Sequence, residues 1–243
     1  MNRNLYLKEN LSKRHFFQKR SYSAVFWIIL LSCLFTVLTF ILEISFCGTN
    51  LSNCAPLDFL ALRPSNFISG MYLWTIVTHI FVHGGFFHLF VNLVCFFSLG
   101  QLSERILGKK RFLIFFILAG IFAGLMSAVF SVLFGNSSWG SRIFGSPNIY
   151  MVGSSGAIFA LAGLFVVLLP KIRFGIIFLP FFSFPAYIII PTILIILWVL
   201  SVTMNLPLGN VAHASGFIFG LIYGEYLRLK YRNKVNLLRR MIV

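Results

Sequence analysis

The sequence predicts an all-α polytopic membrane protein, a bundle of six transmembrane helices built around a short fourth one. Three observations predict it. The chain has 243 residues, of which 59% are hydrophobic and only 10% charged, whereas a soluble domain carries about a quarter charged residues. Apolar runs long enough to cross a hydrocarbon core of about 30 Å recur along the chain. The cationic residues, finally, fall in alternate connections between those runs.

The spans are read in order as 24–46, 86–103, 112–134, 154–170, 186–203 and 209–228. No small-residue cleavage site follows the first, so it is read as a retained helix, not as a secretory leader. The third carries Gly120 and Gly124, and the sixth Gly216, Gly220 and Gly224. Small residues four apart let helix backbones approach closely in lipid. The fourth span is short and ends at Pro170-Lys171. The stretch 174–185 holds Pro180 and Pro185 and reads as a membrane-hugging connection. Residues 1–23 then form a basic N-terminal tail, 24–228 the helical core and 229–243 a basic C-terminal tail. Cys33 and Cys95 fall inside spans and are read as packing residues. Cys47 and Cys54 flank a polar loop and would pair if that loop faces an oxidising compartment.

Charge fixes the orientation. Of 20 Lys and Arg residues, 18 lie in the two tails and in the second-to-third and fourth-to-fifth connections. Only Arg63 and Arg142 lie on the other side. The positive-inside rule places both termini in the cytoplasm, with six crossings. The net charge of +15 therefore reads as topology signal and anionic-lipid contact, not as a nucleic-acid footprint.

Polar residues inside spans are functional candidates. Counting from the cytoplasmic charges at about 1.5 Å per residue, Ser155 lies about 24 Å up, His213 about 22 Å, His88 about 25 Å and Asn92 about 20 Å. Four polar side chains from three helices share one layer, a few ångströms below the outer surface. A serine hydroxyl needs a base to become a nucleophile, and imidazole titrates near neutrality. The acids are Glu9, Glu43, Asp58, Glu104 and Glu225. By the same count none of the last four is clearly in that layer, although Glu43 and Asp58 fall on the outer side and stay open, so the expectation is a Ser–His dyad. An oxyanion needs donors. The start of the fourth helix offers free N–H groups, and His88 and Asn92, at i and i+4, share one helix face. Depth alone does not choose between Ser154 and Ser155, since either can begin the helix.

Three motifs resemble those of the rhomboid intramembrane serine proteases. Gly153-Ser154-Ser155-Gly156 is similar to GxSG, His213 through Gly216 to Gly220 to HxxGxxxG, and His88 through Asn92 to HxxxN. Trp74, Thr75, Thr78, His79 and His83 resemble the segment that enters the second helix. The resemblance runs from about residue 24 to 228 and implies a six-helix rhomboid-like bundle. It makes Ser155 the nucleophile, His213 the base, and His88 and Asn92 the oxyanion pair. Gly153, Gly156, Phe159, Gly216, Gly220 and His83 would support the pocket. The implied activity is hydrolysis of a peptide bond in the transmembrane segment of another membrane protein, through an acyl-enzyme, in a site opening to the outer face of the plasma membrane. No metal or cofactor is implied, and a lateral gate near the fifth helix is. Where the family often has Trp-Arg in the first outer loop, Thr75 follows Trp74, which puts that loop's anchoring in question.

Two other readings compete with this one. His79, His83 and His88 could suggest a metal site, but no HExxH motif accompanies them. A non-catalytic rhomboid-like factor that binds membrane proteins for quality control would usually lack the Ser or the His, and both are present.

Overall fold

The computed structural model describes residues 23–47, 55–176 and 179–242. Its first helix, α1 (Ala24–Leu42), buries Ala24, Val25, Ile28, Ser32, Thr36 and Thr39. These repeat at helical spacing, so one stripe faces protein and the rest faces outward. The start of α1 is capped twice. Ser23 Oγ accepts from Phe26 N at 3.1 Å. The Glu104 carboxylate accepts from Ala24 N at 2.9 Å and Val25 N at 3.1 Å. Those N–H groups have no intrahelical partner. A π turn, Glu43–Cys47, ends the element.

Three short helices follow, α2 (Ala55–Asp58), α3 (Pro64–Ile68) and α4 (Thr75–Thr78). They lead to α5 (Phe86–Leu107) and α6 (Lys109–Phe134), with Gly108 between them at φ +81°. After α7 (Ser138–Phe144) comes α8 (Ser155–Leu168). At about 1.5 Å per residue, the 14 residues of α8 span about 21 Å. It buries Gly156, Ala157, Ile158, every residue from Ala160 to Phe165, and Leu168. Then come α9 (Ala186–Met204), α10 (Asn210–Lys230) and α11 (Arg232–Ile242).

Helices 24–46, 86–107, 109–134 and 186–204 are long and apolar enough to cross a bilayer, and the protein is an integral membrane protein. The core lies between α5, α6, α8 and α10, where Phe96, Phe112, Phe116, Leu161, Leu164 and Phe165 are fully enclosed.

Three expectations are refined. The connection 174–185 is not helical and contains a short ribbon: β1 (Arg173–Ile176) and β2 (Leu179–Pro185) pair antiparallel, with Arg173 opposite Pro185 and Phe174 opposite Phe184. The fold is otherwise helical among the described residues. The basic segment 229–242 is helical. α10 runs on to Lys230, and α11 folds back so that Val235 is buried and Leu238 packs against the core. Gly120 and Gly124 do not make a helix-on-helix seam. Their faces receive Ile80, 2.5 Å from the position of an added Cβ on Gly120, and the His79 ring, 2.7 Å from that on Gly124. The basic tail 1–22 and the Cys47–Cys54 pairing lie outside the described residues.

Candidate active site

Ser155 is the first residue of α8. What places it there is the turn before it. Gly153 has φ +113°, a left-handed conformation that residues with a Cβ rarely adopt. A Cβ at Gly153 would also stand 2.9 Å from His88 Cε1 and 3.0 Å from His88 Nε2, and 3.9 Å from Ser155 Oγ. Strain and lack of space both select glycine. The turn is held by Gly153 N donating to His79 O at 2.9 Å. Ser154 occupies the N-cap position, buried, but its side chain makes no capping bond.

His213 comes from the first turn of α10 and is buried. Its Nε2 lies 2.8 Å from Ser155 Oγ, a hydrogen-bond distance at which a proton can pass. The Phe159 ring, one turn after Ser155, lies 4.7 Å from the imidazole centroid at an interplanar angle of 33°. It fixes one face of the ring.

The close approach of α8 and α10 has a simple cause. A Cβ on Gly216 would collide with the Gly156 backbone, 2.8 Å from its carbonyl carbon. One on Gly220 would collide with the Ala160 backbone, 2.7 Å from its carbonyl carbon. One on Gly156 would meet Ala123 Cβ at 2.6 Å. The expected small-residue stripe thus sets the Ser155–His213 distance. Dispersion and close packing favour such contacts in lipid, where no hydrophobic force separates protein from solvent.

On α5, Asn92 is buried and donates one N–H to His88 O at 2.9 Å. An amide has two donors, so one remains. The His88 ring rests against Gly153, with the His83 ring at 5.2 Å in an edge-on arrangement. His83 is buried. Its Nδ1 is 3.3 Å from Thr36 Oγ1, while Nε2 has no partner among the described residues.

Three of the carboxylates are engaged elsewhere. Glu104 caps α1 and Glu225 pairs with Arg228 at 2.7 Å. Asp58 accepts from Asn66 Nδ2 at 2.8 Å and Tyr150 Oη at 3.0 Å, with Arg63 at 3.9 Å. Among the described residues no three His, Cys, Asp or Glu side chains group as metal ligands.

A helix start bearing a hydroxyl bonded to an imidazole, with amide and imidazole groups beside it, is a site suited to acyl transfer. The family model for the Rhomboid domain matches residues 71–230. The chain belongs to the rhomboid family. It is 28% identical over 162 residues to the rhomboid protease GlpG of Yersinia pseudotuberculosis, covering 65% of this chain and 50% of that one. It is 29% identical over 157 residues to RHOMBOID-like protein 5 of Arabidopsis thaliana, covering 65% and 45%. With GlpG of Haemophilus influenzae it shares 28% over 152 residues, covering 63% and 68%. The chain spans about half the length of the first two relatives.

This rhomboid carries a support that motif reading missed. The segment 55–68 is fastened to the serine turn by a clasp: Leu62 and Met151 exchange both backbone hydrogen bonds, and Asp58 collects Asn66, Tyr150 and Arg63. Burial, reinforced by the bond to Asp58, pushes the Tyr150 phenol up to about 12. Anchoring without the Trp-Arg pair is explained as well. Trp74 Nε1 donates to Phe59 O at 2.9 Å, and Thr78 Oγ1 to Leu60 O at 2.8 Å. The signal for the clasp is that Asp58 and Arg63 are the charged residues of one short segment between α1 and α4.

Proposed function

We propose that this rhomboid is an intramembrane serine endopeptidase that cleaves transmembrane segments of other membrane proteins, with Ser155 as nucleophile and His213 as general base. The observation that carries the reading is the 2.8 Å contact between Ser155 Oγ and His213 Nε2, made between two helices whose glycines meet backbone to backbone.

In this reading His213 takes the Ser155 proton as Oγ attacks the scissile carbonyl carbon. The carbonyl oxygen becomes an oxyanion, covered by N–H groups at the start of α8, the free N–H of Asn92 and a ring N–H of His88. The tetrahedral intermediate collapses, and the leaving amine takes its proton from His213. Water, deprotonated by His213, then releases the acid from Ser155. Peptide amides in a membrane helix are already hydrogen-bonded, so the substrate must unwind locally. Small or helix-weakening residues near the bond favour that. The residues present supply the nucleophile, the base and the oxyanion donors, and the chemistry calls for neither metal nor cofactor.

The remaining topology belongs to this proposal: six crossings, both termini in the cytoplasm, and a site opening to the outer side of the plasma membrane. α9 suits the role of a lateral gate because it buries only Ala186, Ile190 and Ser201, so little packing opposes its movement. The test is cleavage of a transmembrane reporter in proteoliposomes. Ser155→Ala and His213→Ala each abolish it in this account, and survival of cleavage in either variant sinks the dyad.

A further inference from the structure

α11 lies across the basic end of the bundle. Val235 and Leu238 pack among core residues that include Leu168, Leu169 and Leu227. Arg239 donates to the last carbonyls of α8, Nε to Leu168 O at 3.0 Å and Nη2 to Val167 O at 2.7 Å. The C-terminal carbonyls of a helix lack intrahelical partners, and a cation there complements the helix dipole.

Much of the rest of α11 faces away from the described residues. Leu237 and Met241, one turn apart, are 59% and 75% exposed. By helical spacing they flank the packed pair Val235 and Leu238, so the apolar arc is wider than the part the protein covers. On the opposite arc stand Arg232, Asn233, Asn236 and Arg240, all exposed. Among the described residues no carboxylate pairs with Arg232, Lys234 or Arg240. At the elbow before α11, Lys230 bonds Tyr226 Oη at 2.6 Å. Lys230 and Lys234 lie over the Tyr231 ring at 5.7 and 5.8 Å. Arg111 is within electrostatic reach of Lys230. Tyrosines interleaved with cations mark the level of lipid headgroups, and a helix with a broad apolar arc beside a cationic one lies in the interfacial plane.

We propose that α11 is a surface helix that docks on anionic phospholipid headgroups at the basic end of the bundle. Arg232 and Arg240 meet the phosphates from the polar arc, Lys234, in line with Leu238 and Met241, reaches them past its own apolar stem, and Leu237 and Met241 enter the acyl layer. Arg239 ties this docked helix to the far end of the helix that begins with Ser155. The proposal concerns lipid contact and stands apart from the protease reading.

The test is amide hydrogen exchange over residues 232–242 of the full chain. It is measured in vesicles of phosphatidylcholine alone and of phosphatidylcholine with phosphatidylglycerol. Each basic residue near an anionic surface contributes about a fivefold change in binding. Exchange should therefore slow by about tenfold or more with phosphatidylglycerol, an effect that high salt weakens. The variant R232Q/K234Q/R240Q should lose the difference, and Ser155→Ala should keep it, whatever its cleavage activity. Equal exchange in the two vesicles, or a triple variant with the wild-type difference, overturns the proposal. So does equal slowing by inorganic phosphate added to neutral vesicles, which would assign the site to a free anion.

Discussion

Replacing Gly220 with alanine tests whether backbone contact between α8 and α10 sets the Ser155–His213 distance. The added Cβ would stand 2.7 Å from the carbonyl carbon and 2.9 Å from the Cα of Ala160. Unstrained carbon–carbon contacts need about 3.5–4.0 Å. The obstacle is main chain and cannot rotate away, so the helices must separate by about 1 Å, as that spacing requires. His213 lies two turns earlier on the same helix face, and the separation is carried to its 2.8 Å bond with Ser155. A misplacement of about 1 Å costs about 10²-fold in rate. Gly220→Ala is therefore expected to lower kcat/KM by about that factor in single-turnover cleavage of a transmembrane reporter. Ile218→Ala, at a position 51% exposed on the same helix, should cleave normally. Thermal unfolding of both variants in detergent separates a shifted site from an unfolded one. If folded Gly220→Ala cleaves at the wild-type rate, the glycine contacts do not govern the distance and the argument fails.

Three further outcomes follow from named contacts. Tyr150 has its phenol pushed up to about 12, against about 10 in an unfolded chain. A raised folded value means the stabilisation is complete below about pH 10. It is lost as pH rises toward about 12, so the Tm gap between wild type and Tyr150→Phe should close over that window, and a gap independent of pH would contradict the clasp. Glu104→Ala leaves two N–H groups of α1 without acceptors and should destabilise the protein by about 1–2 kcal/mol in detergent unfolding. Ser154→Ala should retain most activity, because the Ser154 side chain makes no capping bond. Abolished cleavage would mean that the wrong serine is assigned.

The helices were legible because membrane spans are long, apolar and bounded by charge, and because Ser155, His213, His88 and Asn92 are costly residues to place in lipid. The motif glycines were legible for the same reason as their contacts: backbone meeting backbone leaves no choice of residue. What the sequence concealed depends on tertiary partners. Residues 229–243 read as a tail because α11 is half polar. Only the folded core gives Val235 and Leu238 somewhere to pack. The β1–β2 ribbon was hidden by Pro180 and Pro185, which weaken any strand pattern. Gly120 and Gly124 matched a helix-packing stripe, yet the side chains they accept, Ile80 and His79, come from a connecting segment whose course no local pattern encodes. The clasp on Asp58 escaped because its members are distant in sequence, Tyr150 lying 92 residues from Asp58.

The most direct measurement is covalent labelling of the nucleophile. The full chain, reconstituted in vesicles, is treated with a fluorophosphonate and the modified residue is located by peptide mass spectrometry. The account predicts a single adduct on Ser155, lost when His213 is replaced by alanine and reduced when a transmembrane substrate is present. An adduct on Ser154 or elsewhere, or undiminished labelling of Ser155 without His213, would contradict it.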